Sequence, residues 1–116
     1  MTDPVPYQVS KQAVLGNGSF VTIHTVNTTR WLRFENIHLV NATAVAVTVQ
    51  FCIVPAGGAA AATNALLWNF SIPANDFIEF GEGLRLGPGG LVRGSAGAGN
   101  AITATVCGVE KTLIGV

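Results

Sequence analysis

From residue 19 onward, turn residues cut the chain about every eight to twelve positions, and the pieces between them are rich in β-branched and aromatic residues. That punctuation leaves no run long enough for a stable helix. It directs the chain toward short strands. Residues 20–25 (FVTIHT) are the first of these. In residues 31–40, Leu32 and Phe34 share one parity while Ile37 and Leu39 share the other, so a β-bulge is expected at Glu35 and Asn36. Residues 44–54 form the clearest strand: Val45, Val47, Val49, Phe51 and Ile53 fall on one face, with Thr48, Gln50 and Cys52 on the other. Residues 55–63 (PAGGAAAAT) break it and allow one helical turn at most. Further strands are expected at 66–72, 77–80, 84–86, 91–96 and 101–109, with Gly87-Pro88-Gly89-Gly90 a strong turn. The pattern predicts an all-β fold, an antiparallel β-sandwich of seven to eight short strands. Val45, Val47, Val49, Phe51, Ile53, Ile78, Phe80, Ile102 and Val106 are its expected core.

Residues 1–18 read differently. Pro4 and Pro6 bias the start toward extended backbone, and Gly16-Asn17-Gly18 reads as a turn. The expected organisation is an extended N-terminal arm, residues 1–18, and a single β-sandwich domain, residues 19–116. Val5, Pro6, Tyr7, Val9, Val14 and Leu15 are too few and too irregular to make a core of their own. They are the candidate assembly-interface residues, expected to pack on a neighbouring subunit or on a larger assembly.

Composition then limits function. Charged residues are 10% of the chain, six of each sign, against about 25% in an ordinary soluble domain. Hydrophobic residues are 49%, and glycine and alanine together make a quarter of the sequence. Disorder requires the opposite balance. Nucleic-acid binding requires a basic excess that is absent here. No apolar stretch approaches the length of a membrane helix, and Met1-Thr2-Asp3-Pro4 lacks the basic and apolar regions of a secretion signal. Neither nucleic acid nor membrane is therefore expected as a partner. A surface so poor in charge is poorly protected against self-association, and burial by neighbours in an assembly is expected.

The chemistry-bearing residues form no convincing site. Cys52 and Cys107 flank Trp68 as in an immunoglobulin domain, but their parity is opposite to the core residues beside them, so two free thiols are expected. His24 and His38 lack metal-ligand spacing and are expected on strand surfaces. Asp76, Glu79 and Glu82 read as turn and edge carboxylates. The glycines around Glu82 and Ser95 are followed by neither the Lys-Ser/Thr nor the helix of a phosphate loop. Arg93-Gly94-Ser95-Ala96-Gly97 lacks the first glycine of a nucleophile elbow. Asn17, Asn27, Asn41 and Asn69 each begin an Asn-x-Ser/Thr triplet, which matters only in a secretory compartment. No catalytic residue, cofactor or metal is expected.

An ordered series of segments carries a resemblance. Ile37-His38-Leu39-Val40-Asn41 precedes a strand of small residues, Thr and Val. Val54-Pro55-Ala56-Gly57-Gly58 leads through an alanine-rich stretch to Asn64-Ala65-Leu66-Leu67. Ser71-Ile72-Pro73-Ala74-Asn75-Asp76 and Gly83-Leu84-Arg85-Leu86 with Pro88-Gly89 follow. Asn100-Ala101-Ile102-Thr103 runs on to Val106-Cys107-Gly108-Val109-Glu110. In this order, residues 19–110 resemble small β-sandwich structural proteins of tailed bacteriophages: capsid decoration proteins, head fibres and small tail proteins. The resemblance implies a virion location on the outer surface of the capsid, a homotrimer, and the major capsid protein as partner. A tail or fibre protein is the alternative within that class. A carbohydrate- or receptor-binding module is the alternative outside it; a Trp31 or Trp68 lying on the surface beside polar groups would mark that module.

Overall fold

The β-rich runs of the sequence become ten strands in a computed structural model that describes residues 7–112. In chain order they are β1 (Tyr7–Val14), β2 (Gly16–Asn17), β3 (Val21–Thr25), β4 (Arg30–Asn41), β5 (Val47–Val54), β6 (Ala65–Ile72), β7 (Asp76–Phe80), β8 (Arg85–Leu86), β9 (Leu91–Ala96) and β10 (Ile102–Thr112), with one 3-10 turn at Ala62–Asn64. They form two five-stranded sheets. The first has the order β1-β10-β4-β7, with β8 also paired to β4; the second has the order β2-β9-β5-β6, with β3 also paired to β9. Pairing is antiparallel except between the two-residue β2 and β9. With the two-residue strands β2 and β8 set aside, eight strands remain. The first, eighth, third and sixth make one sheet, and the second, seventh, fourth and fifth make the other. That order is the jelly roll.

The described part of the expected arm runs extended along β10 of the same chain, Tyr7 opposite Glu110 and Val14 opposite Thr103. At Leu15 the chain crosses from the first sheet to the second. The Leu15 amide donates to the Ile102 carbonyl at 2.9 Å, and its side chain is almost fully buried. Residues 1–6, with Val5 and Pro6, lie outside the described residues.

Between the sheets, Leu32, Phe34, Ile37, Leu39, Val49, Phe51, Ile72, Ile102 and Val106 are fully buried. Phe51 of one sheet meets Phe80 of the other edge to face, centroids 5.7 Å apart. Of the expected core, Val47, Val49, Phe51, Ile102 and Val106 are buried, and Ile53, Ile78 and Phe80 pack against it from partly exposed positions. Val45 is a correction: it is 64% exposed. The pleat begins only at Val47, and Val45 belongs to the turn before it, where its carbonyl accepts from the Asn41 side chain at 2.8 Å. Strand parity does not extend into a turn.

The bulge falls where the parity switch puts it. Cys107 pairs with Asn36 and Gly108 with Phe34, which leaves Glu35 as the extra residue. Gly108 suits this crowding, since a Cβ there would stand 2.5 Å from the Arg33 carbonyl oxygen.

Candidate assembly surface

Register carries the side chains of the first sheet into rows. On its solvent face Val14, Thr103, Val40 and Phe77 form one row across β1, β10, β4 and β7. Gln12, Thr105, His38 and Glu79 form the next, then Ser10, Cys107 and Asn36, then Gln8, Val109, Arg33 and Arg85. This face is short of charge over its middle and apolar at one end, where Val14 and Phe77 are about half exposed. The His38 ring stacks on Phe77 with centroids 5.1 Å apart. β1 borders the same face, and among the described residues no strand pairs with its outer edge.

The six sequence-derived interface candidates do not gather in one place. Val9 and Leu15 are buried in the chain's own core. Tyr7 and Val14 are exposed at opposite ends of β1. Val5 and Pro6 lie outside the described residues. Trp31 and Trp68, named from the sequence as marks of a binding module if they lie on the surface, are 47% and 43% exposed. The sequence reading missed Phe77 and Phe70, both more than 40% exposed. A signal for Phe77 was present: it is out of parity with Ile78 and Phe80, the two inward residues of its strand.

At the end of the sandwich near Tyr7, an acid points inward. Glu110 follows Ile102, Ala104, Val106 and Gly108 at the inward parity of β10 and is buried. Its carboxylate accepts from His24 Nε2 at 2.5 Å and lies 3.5 Å from Arg30. The Arg30 guanidinium in turn sits 3.4 Å from the centre of the Tyr7 ring. His24 is thereby corrected: it is not a strand-surface residue but a link from β3 in one sheet to β10 in the other. A buried carboxylate needs such partners, because leaving it unpaired is costly. Inward parity alone was enough to mark Glu110 as a residue in need of one.

The remaining candidates are structural. Cys52 and Cys107 are free thiols. Cys52 keeps its outward parity yet is fully buried, because residues 55–64 fold over that face and its thiol donates to the Ala61 carbonyl at 3.6 Å. Burial raises the Cys52 thiol above its ordinary range, against smaller opposing effects of that hydrogen bond and of Arg93. The Ser95 hydroxyl of β9 donates to Gln50 Oε1 of β5 at 2.9 Å, and Ser95 is buried. Asp76 caps the amide of Phe77 at 2.8 Å, and Glu79 accepts from Asn36 at 2.8 Å. Among the described residues, no group of three or more acidic, His or Cys side chains is placed to hold a metal ion. Asn41 is fully buried and donates to the carbonyls of Val45, Ile72 and Pro73, while its Oδ1 accepts from Thr43. That Asn-x-Thr triplet is a turn device.

No protein-family model matches the chain, and no curated protein matches it. Solved structures do. One is described as Bacillus endospore appendages that form a family of disulfide-linked pili; it is similar with a TM-score of 0.53 at 14% identity, over 94% of this chain and 88% of that one. A T13 particle of infectious bursal disease virus is similar with a TM-score of 0.54 at 12% identity, over 95% of this chain. The Gx strain of the same virus gives 0.51 at 12% identity, over 98% of this chain. The chain spans only 31% and 34% of the two viral chains. At these identities the likeness is one of fold: two antiparallel sheets in a sandwich, found also in a pilus-like spore appendage and in viral particles.

Proposed function

We propose that the chain is a non-enzymatic structural protein of a virion, a capsid decoration protein that sits as a homotrimer on the outer surface of a bacteriophage head and stabilises it. The observation that carries this reading is the solvent face of the first sheet. Its middle rows are short of charge, it carries Val14 and Phe77 half exposed, and it ends at β1, whose outer edge is paired with no strand among the described residues. A monomer in water gains nothing from such a face, whereas a subunit covered by neighbours gains its burial. The fold likeness to proteins of viral particles and of a spore appendage supports the same reading. Many copies on a capsid also multiply weak contacts through effective concentration.

The test has two arms. Light scattering on the purified protein reads its mass, and a threefold multiple of the 12.0 kDa chain is expected. Mass spectrometry of purified heads and purified tails locates it, with heads expected. A protein found only in tails overturns the decoration role, and one found in neither overturns the virion reading. A monomer that fails to sediment with capsids overturns both the trimer and the major capsid protein as partner.

A further inference from the structure

The other end of the same face holds a different arrangement. Trp31, Arg33, Arg85, Val109, Lys111 and Thr112 line an open groove of about 530 Å³. Three of the chain's six basic residues are there, and among the described residues no acidic one lines it. Arg33 of β4 and Arg85 of β8 stand directly opposite each other in the ladder. Val109 is the β10 partner of Arg33, and Lys111 is the partner of Trp31. Like charges directly opposite across two strands repel. Among the described residues, neither arginine nor Lys111 has an ion-pair partner. Two arginines set against each other, with no ion-pair partner among the described residues, can accept an anion between them. Beside them the Trp31 indole is 47% exposed and rests over Gly87, where a Cβ would come to 3.4 Å from its ring.

We propose that this groove binds an acidic saccharide, with a carboxylate or sulfate held between Arg33 and Arg85 and a pyranose ring lying on Trp31. The chemistry matches both halves of such a ligand. Guanidinium forks recognise carboxylate and sulfate through paired N–H donors. A half-exposed indole offers a flat apolar surface to the C–H face of a sugar while its own N–H stays free to donate. A peptide ligand fits less well. Extended peptides add to a sheet edge through backbone hydrogen bonds, whereas this groove lies on a sheet face. There, Trp31, Arg33, Arg85, Val109 and Lys111 all belong to strands already paired in the ladder. Recognition must come from side chains. The groove is separate from the apolar end that carries the assembly reading, so each can fail without the other.

The test is a titration of the full chain with three ligands: a galacturonate tetrasaccharide, the neutral galactose tetrasaccharide, and tetraglutamate. Binding is read by amide NMR shifts and by fluorescence in a Trp68→Phe background, where Trp31 is the only indole. The galacturonate oligomer is expected to quench Trp31, to weaken as salt rises, and to bind at least about tenfold more tightly than either of the others. Arg33→Gln, Arg85→Gln and Trp31→Ala should each weaken it by about tenfold. Removing one arginine relieves a repulsion, so both Gln variants should unfold in urea no earlier than the parent, which separates lost binding from lost folding. Tetraglutamate binding as well as galacturonate, with Trp31→Ala silent, overturns the saccharide in favour of an acidic peptide. Loss of self-association in Arg33→Gln, without saccharide binding by the parent, overturns it in favour of a second copy. No shift with any ligand overturns the site altogether.

Discussion

Glu110 shows how one residue can join two sheets. Its carboxylate has His24 on one side and Arg30 on the other, and Tyr7 closes over Arg30. Glu110→Ala removes the acceptor and leaves the His24 donor without its partner at a site where it is 11% exposed. The expected cost is about 2–3 kcal/mol, the range for a hydrogen bond to a charged group, read as a lower urea midpoint with an unchanged slope. The thiols differ in the same local way. Cys107 is partly exposed on the face of the first sheet, 3.9 Å from the Ser10 hydroxyl, while Cys52 is sealed under residues 55–64. Iodoacetamide should modify Cys107 in the native protein and Cys52 only on unfolding. The raised Cys52 pKa has a consequence for stability. The thiol ionises more readily in the unfolded chain, so its contribution is fully present below the unfolded thiol range and is lost as pH rises from that range through the raised folded value. Comparison of a Cys52→Ala variant with the parent between neutral and alkaline pH checks this, since the variant should lose less stability.

The bulge in β4 is the element on which the first sheet depends. Leu32 and Phe34 reach the core before Glu35, and Ile37 and Leu39 reach it after, so one extra residue keeps both halves inward. Gly108 sits opposite, where a Cβ would collide with the Arg33 carbonyl. Gly108→Ala should therefore force the two backbones apart at a cost of about 1–3 kcal/mol. Across the sandwich, Phe51→Ala empties the space next to Phe80 and should cost about 3–5 kcal/mol. Either variant matching the parent in chemical denaturation would show that the strands adjust more freely than their register implies. A second bulge lies in β6, where Trp68 and Asn69 stand against Gln50 alone and Asn69 takes a φ of 52°. It lets Trp68 lie over Phe20, centroids 6.4 Å apart, outside the core.

At the scale of the molecule, β1 is part of the sandwich and a border of its outer face at once. Deleting residues 2–15 removes β1 together with Val9 and Leu15, and is expected to abolish the cooperative unfolding transition. The informative change is a double one on the exposed apolar row. Val14→Lys with Phe77→Lys should leave the unfolding free energy within about 0.5 kcal/mol of the parent's, as surface substitutions usually do. It should also abolish self-association and capsid binding. A double variant that still assembles with the parent's stoichiometry would place the interface elsewhere on the chain.

The sequence by itself determined the class of fold, the strands from residue 20 onward, the bulge at Glu35 and part of the core, but not that residues 7–14 form a strand of the sandwich. Each of these follows from local chemistry: turn residues end strands, and a period of two sorts Val49 and Phe51 from Thr48 and Gln50. Glu110 also continues the inward parity of Ile102 and Val106, a signal the sequence reading passed over, and nothing local named His24 and Arg30 as its partners, 86 and 80 positions earlier. The order of strands in the two sheets came from tertiary structure, because β1 finds β10 and β3 finds β9 through contacts far apart in the chain. So did the fate of residues that local pattern sorts wrongly: Val45, held in a turn by Asn41, and Cys52, covered by a loop that no parity rule anticipates. The rows on the outer face have the same origin. Val14 and Phe77 are 63 residues apart, and Arg33 and Arg85 are 52 apart, yet the register sets each pair in one row. A surface is assembled from strands distant in sequence, so its chemistry is decided only when they pair.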